Sequence, residues 1–260
     1  MNFSTDGLVI KEQMIKDGNK VITVLTRDKG VIRAFVNGVD NIRSSKATAT
    51  GLVTYSQFEV YSNLKGKYVI DDVHAKDVFM PLRNDMKKLA LAQYFCELSG
   101  QFAPRETNAE ETLRLILNSL YMIANDKRSC EQIKCIFELR LMAVSGYMPD
   151  LVGCMECGSF EDDEMRFLPE SGQMICGKCL KNDEDKTHTQ TSMFIGQTLT
   201  KAMRHCVYSE FGKLFSFRIS DRAAAALGEV TEKYCTLHTD KPLRTLEFYK
   251  QVKDLPPEQR

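Results

Sequence analysis

Over the first 80 residues, apolar positions come in short runs broken by turn material, which is the mark of strands. The runs are Gly7–Ile10, Val21–Thr26, Val31–Val36, Gly51–Tyr61 and Tyr68–Ala75. Between them lie Lys16-Asp17-Gly18-Asn19, Asp28-Lys29-Gly30, Asn37-Gly38 and Asn63 to Lys67, stretches rich in residues that accept tight turns. Five short strands in so few residues predict a small barrel. The OB-fold is the commonest five-stranded form, and an SH3-like barrel would produce a similar pattern.

From Lys87 the period lengthens to that of a helix. One segment spans Lys87–Phe102. Thr107-Asn108-Ala109-Glu110 then reads as a capping box, opening a helix with Leu113, Ile116, Leu117, Leu120 and Tyr121 on one face. A third helix, 130–145, carries two apolar stripes and so belongs at the centre of a bundle, ending at Gly146 and Pro149. A polar stretch, 181–192, reads as an exposed linker. Helical spacing resumes at Ile195, Leu199, Ala202, Met203 and Cys206. Ser220-Asp221 caps another helix to Leu237, and a last segment, Leu243–Val252, precedes a frayed Pro-Pro tail. The expected architecture is α+β and multidomain. Residues 1–80 form an N-terminal five-stranded OB-fold β-barrel, and 81–255 an α-helical domain containing a four-cysteine zinc element at 154–179.

The cysteines sharpen the picture. Nine of them stand in 260 residues, an odd count without a signal-peptide pattern, which argues against a disulfide scaffold and for a cytoplasmic protein. Four form Cys154-x-x-Cys157 and Cys176-x-x-Cys179, each pair able to aim two sulfurs at one ion. Residues 165–175 read as a hairpin that returns the second pair to the first. Four thiolates suit one tetrahedral Zn2+ per chain. Such a shell has no open position for water, so the zinc is expected to be structural. Gly158, Gly172 and Gly177 suit the turns, and Arg166, Lys178 and Lys181 are available to offset the thiolate charge. Cys96, Cys130, Cys135, Cys206 and Cys235 read as small core residues.

Charge adds a second candidate. Thirty-five basic and 35 acidic residues cancel over the whole chain, which excludes a binder that works through overall charge. Residues 1–67 nevertheless hold ten basic to six acidic. Arg27, Lys29, Arg33, Arg43 and Lys46 are the candidate DNA contacts, with Lys20 in the same stretch. Arg33 and Phe35 share one strand face, as do Tyr55 and Tyr61. Cations beside aromatic rings are the parts of a single-strand groove; the alternative places those rings in the core. His74, His188, His205 and His238 are scattered singly, and no phosphate-loop, dinucleotide, nucleophile-elbow or zinc-protease motif occurs, so no catalytic residue is assigned. A zinc-dependent nuclease or deaminase, or an interaction scaffold without direct DNA contact, are the alternatives.

Several segments together resemble the RecO family of bacterial recombination mediators. They are Gly7-Leu-Val-Ile, Val24 to Gly30, Asn37 to Lys46, Phe137 to Pro149 running into Cys154-x-x-Cys157-Gly158, and Leu243 to Phe248. Where the family pattern has two glycines before the second cysteine pair, this chain has Ser171-Gly172. The resemblance implies an OB-fold followed by helices with the zinc element. It also implies a non-enzymatic activity: binding single- and double-stranded DNA, annealing complementary strands and helping RecA load onto coated strands. Implied partners are RecR and the C-terminal tail of single-strand-binding protein.

Overall fold

Strand β1 (Asn2–Met14) is far longer than its apolar run, because its two halves pair with different neighbours. In a computed structural model, which describes residues 2–15, 18–39, 45–63, 66–182 and 187–254, the chain is α+β and divides into two units. They are Met1–Asp126 with Leu243–Arg260, and Lys127–Pro242.

In the first unit β1 pairs antiparallel with β2 (Lys20–Thr26), which pairs with β3 (Gly30–Val36). A short helix α1 (Ser45–Ala49) precedes β4 (Tyr55–Ser62) and β5 (Tyr68–Asp77). A parallel contact between β3 and β5 closes an OB-like barrel in the order β1-β2-β3-β5-β4. Alternation sends Ile22, Val24, Ile32, Ala34, Val36, Phe58 and Val60 into one buried cluster. The expected strand Gly51–Tyr61 starts late. Residues Gly51–Thr54 instead turn, with Val53 at φ 57°; the Val53 amide donates to the Val9 carbonyl at 2.9 Å and the Val9 amide to the Thr54 carbonyl at 3.0 Å. Those bonds fall where β1 shifts register between Val9 and Lys11, so the bulge consumes backbone groups that a longer β4 would need.

Helices α2 (Met80–Arg83), α3 (Met86–Phe102), α4 (Glu110–Ala124) and α10 (Arg244–Val252) complete this unit. The expected capping box is absent. Ala109 is the N-cap of α4, and Asn108, not Thr107, accepts the Glu110 amide at 3.1 Å. The reason lies in the barrel: the Ala109 amide donates to the Arg27 carbonyl at 2.8 Å, and Val31 donates to Pro104 at 2.9 Å. The chain is thus stapled to the β2–β3 turn before the helix begins. The buried face of α4 is also rotated, to Thr112, Leu113, Leu115, Ile116, Ser119, Leu120 and Ile123, leaving Tyr121 exposed.

In the second unit α5 (Cys130–Val144) is buried nearly all round, as its two stripes require, and Ser129 caps it through the Gln132 amide. A three-stranded sheet, β7-β6-β8, contains the expected hairpin of β6 (Arg166–Leu168) and β7 (Gln173–Ile175), turned at Gly172 with φ 70°. Helix α6 (Gly177–Lys181) follows. The stretch expected as a linker holds helix α7 (Thr187–Thr191) and buried Ser192, and strand β8 (Met193–Phe194) follows it. Helices α8 (Gly196–Tyr208) and α9 (Asp221–Leu237) complete the unit, α9 capped by Ser220 and packed along α5. No described helix is long and apolar enough to cross a membrane.

Candidate metal centre and nucleic-acid interface

Two tight turns build the cysteine cluster. At the first, Gly158 donates to the Cys154 carbonyl and the Cys154 amide to Ser159, both at 2.9 Å, with Gly158 at φ 71°. A side chain there would strain the turn. At the second, Cys176 caps α6, its Sγ accepting the Cys179 amide at 3.4 Å. The β6–β7 hairpin joins the turns: Met155 donates to Met174 at 2.8 Å, and the Cys176 amide reaches Cys154 Sγ at 3.3 Å.

All four sulfurs of Cys154, Cys157, Cys176 and Cys179 lie within 4.8 Å of one another. Cys157 and Cys176 are 3.7 Å apart. A tetrahedron with metal–sulfur bonds of about 2.3 Å has edges of about 3.8 Å, whereas a disulfide is about 2.0 Å. The cluster therefore has the size of a four-thiolate metal site, and this group can bind a metal ion. Burial pushes the Cys154 thiol up, but the amides of Cys157, Cys176 and Glu156 outweigh it and draw the thiol down to about 7. Amides aimed at sulfur favour the thiolate that a metal needs.

The cluster is braced by a residue the sequence did not mark. Arg204 of α8 donates to the carbonyls of Leu151 (2.7 Å), Val152 (3.0 Å) and Phe160 (2.6 Å), and stacks on the Phe160 ring at 3.7 Å. Asp162 accepts the Glu164 and Gly177 amides, so the acidic run is a stitched turn. Two of the cations expected to offset the thiolates are engaged elsewhere. Arg166, on the hairpin, bonds Ser192 at 2.8 Å, and Lys181, at the end of α6, pairs with Glu164 at 2.8 Å.

On the barrel, outward alternation places Arg33 and Phe35 on one face of β3, and Tyr55 and Tyr61 on one face of β4. The candidate cations part company there. Arg33 is exposed and lines a groove of about 710 Å³ together with Phe35, Lys67, Tyr68, Arg105 and Glu106. Arg27 pairs with Asp6 at 3.1 Å, and Asp6 also holds Lys76, whose ammonium lies 5.6 Å from the Tyr55 ring centre. Burial, then the Asp6 charge, pushes the Tyr55 hydroxyl up. Lys29 is half-buried in the β2–β3 turn, Lys46 reaches the Asp71 carbonyl at 3.3 Å, and Arg43 lies outside the described residues. Lys20 is no surface cation. It is buried against Glu12 at 3.0 Å, because its position in β2 faces the barrel end.

Lys67 and Arg105 were missed. Lys67 looked like turn material, and its ammonium sits 5.4 Å from the Phe35 ring centre. Arg105 arrives from the α3–α4 connection, about 70 residues downstream of β3 and without any local signal. A backbone bridge between Gly30 and Arg105 delivers it. Gly30, at φ 59°, lies so close that a Cβ would meet the Pro104 carbonyl oxygen at 2.1 Å.

A closed barrel bearing outward cations and rings, joined to helices that carry a four-thiol knuckle, defines a class of OB-type proteins with a metal-knuckle element. Comparison with known proteins narrows the class. The family described as Recombination protein O N terminal matches residues 1–79, and Recombination protein O C terminal matches 83–247. Among curated relatives, the DNA repair protein RecO of Acetivibrio thermocellus is 32% identical over 253 residues, covering 97% of this chain and 98% of that protein. That of Symbiobacterium thermophilum is 27% identical over 249 residues, covering 95% and 96%. The chain belongs to the RecO family.

Proposed function

We propose that this protein is a DNA repair and recombination mediator that binds single- and double-stranded DNA and anneals complementary strands. Membership of the RecO family along both parts of the chain carries the reading, since the relatives are named for DNA repair. In this reading residues 1–80 are the DNA-binding module, contacting phosphates through Arg27, Lys29, Arg33, Arg43 and Lys46, and 81–255 are the helical part. The outward cations of the barrel support this assignment, because phosphate attraction depends on local and not total charge. RecR and the tail of single-strand-binding protein are the proposed partners, RecA loading the proposed outcome, and the nucleoid of the cytoplasm the proposed location.

The cysteine element holds one Zn2+ in this reading, and four sulfurs complete its shell, so the ion cross-links the turns and performs no chemistry on DNA. The protein acts without catalysis. A strand-annealing assay with complementary oligonucleotides, bare or coated with single-strand-binding protein, tests the proposal. Purified protein is expected to accelerate pairing in both cases. Failure to bind bare oligonucleotide in low-salt buffer would overturn it.

A further inference from the structure

We infer that the β3 groove takes one unstacked base of a DNA single strand, with Phe35 as its platform and Lys67 as the cation that the base displaces. The inference rests on the reading of the barrel as a DNA-binding module. It adds what that reading leaves open, namely how the barrel separates single strands from duplex.

Four observations converge on the groove. Phe35 faces outward from β3 and is only half-buried, while its neighbours Ala34 and Val36 fill the core, so the ring is surplus to the barrel interior. Tyr68, by contrast, packs against the core and meets Phe3 edge-on at 5.6 Å, which makes it the floor and not a second platform. Among the described residues the rim holds three cations, Arg33, Lys67 and Arg105, and one carboxylate, that of Glu106. None of the three has an ion-pair partner among the described residues, in contrast to Arg27 on Asp6 and Lys20 on Glu12. Finally, Glu106 sits at φ 57°, a conformation costly for a non-glycine residue, and the strain adjoins Arg105 at the groove wall.

The chemistry these parts recognise is a flat π-face flanked by phosphates. A base stacks on Phe35 in the position where the Lys67 ammonium now rests, and the freed ammonium joins Arg33 and Arg105 on the backbone on either side. Bases within a duplex have both faces covered and cannot enter without being unpaired. Duplex contact is therefore left to the cations alone. Because every base offers a π-face, the groove should be nearly indifferent to sequence.

Phe35→Leu tests this with little loss of apolar volume, and its melting temperature reports whether the barrel remains folded. Affinity is measured for an oligothymidine strand and for a duplex of equal length, with a 2-aminopurine-containing strand reporting stacking by quenching. Phe35→Leu is expected to weaken single-strand binding about tenfold and abolish the quench, leaving duplex binding within about twofold. Phe35→Trp should restore both signals. Arg105→Gln, at an exposed position, should weaken both ligands and keep the quench. If Phe35→Leu binds and quenches like the parent while Arg105→Gln loses affinity, the base-stacking inference falls and the DNA-binding reading stands. If the parent protein binds neither ligand, the underlying reading falls first.

Discussion

In the barrel, Ile22, Val24, Ile32, Phe58 and Val60 fill the interior, while Arg33 and Phe35 face outward from β3. In the cysteine knuckle no such division exists. Cys154 and Cys176 are themselves buried, and between residues 151 and 181 the turns are tied to one another through sulfurs, amides and Arg204. Burying a large apolar side chain contributes about 1.5–3 kcal/mol, so a barrel core holds its shape whatever stands outside it. The two cysteine turns have little apolar core of their own and lean on the buried Phe167, Met174 and Ile175 of the hairpin between them. Chemistry that faces outward from a filled barrel can be exchanged freely; chemistry that is the cross-link cannot.

The largest expected effect falls on the knuckle. Stripping metal with a strong chelator, or substituting Cys176→Ser, should remove amide-exchange protection across 151–181 while β1–β5 keep theirs. Structural zinc binding is worth on the order of 10 kcal/mol or more at neutral pH, all of it linked to folding. Elemental analysis should find about one zinc per chain, matching one four-thiolate shell. Retained protection after complete metal loss would break the contrast.

A middle-sized effect should follow Arg204→Ala. Its guanidinium serves three carbonyls and one ring, and hydrogen bonds from a charged group are worth about 1.5–3 kcal/mol when lost. A destabilisation of about 3 kcal/mol by denaturant unfolding, with zinc still bound, would show that the brace acts beside the metal and not through it. A change below about 0.5 kcal/mol would mean that the metal alone suffices.

The smallest folding effects should come from the barrel exterior, where they are replaced by effects on DNA. Arg33→Gln should alter stability by no more than about 0.5 kcal/mol, yet flatten the plot of log affinity against log salt by about 0.7 for single strands. Arg27→Gln should flatten it less, since Asp6 already counters that guanidinium. Equal slopes for the two variants would sink the distinction between the paired and unpaired cations.

Much of this was legible because local pattern and tertiary demand agreed. Period-2 alternation on β3 placed Arg33 and Phe35 on one face, which the barrel turns outward, and Cys-x-x-Cys spacing placed two pairs of sulfurs on two turns. The Ser220 cap was readable for the same reason: it bonds an amide three residues on. The readings that failed are those in which a distant backbone intervened. Thr107 does not cap α4, because Arg27 and Val31 have already taken hold of that segment. Lys20 is buried at the barrel end and pairs with the exposed Glu12, and Arg166 turns to Ser192 instead of the thiolates.

The amino-acid sequence by itself determined most of the strands, the long helices, a small five-stranded barrel and the two cysteine pairs, since each follows from periodicity or spacing within a few residues. The company each charge keeps was decided only in three dimensions. Arg33 meets Lys67 and Arg105 in one groove, and Arg27 is held by Asp6, because closure of the barrel and the close approach at Gly30 bring together residues far apart in the chain. Electrostatic partnership depends on distance through space, and no local pattern encodes it.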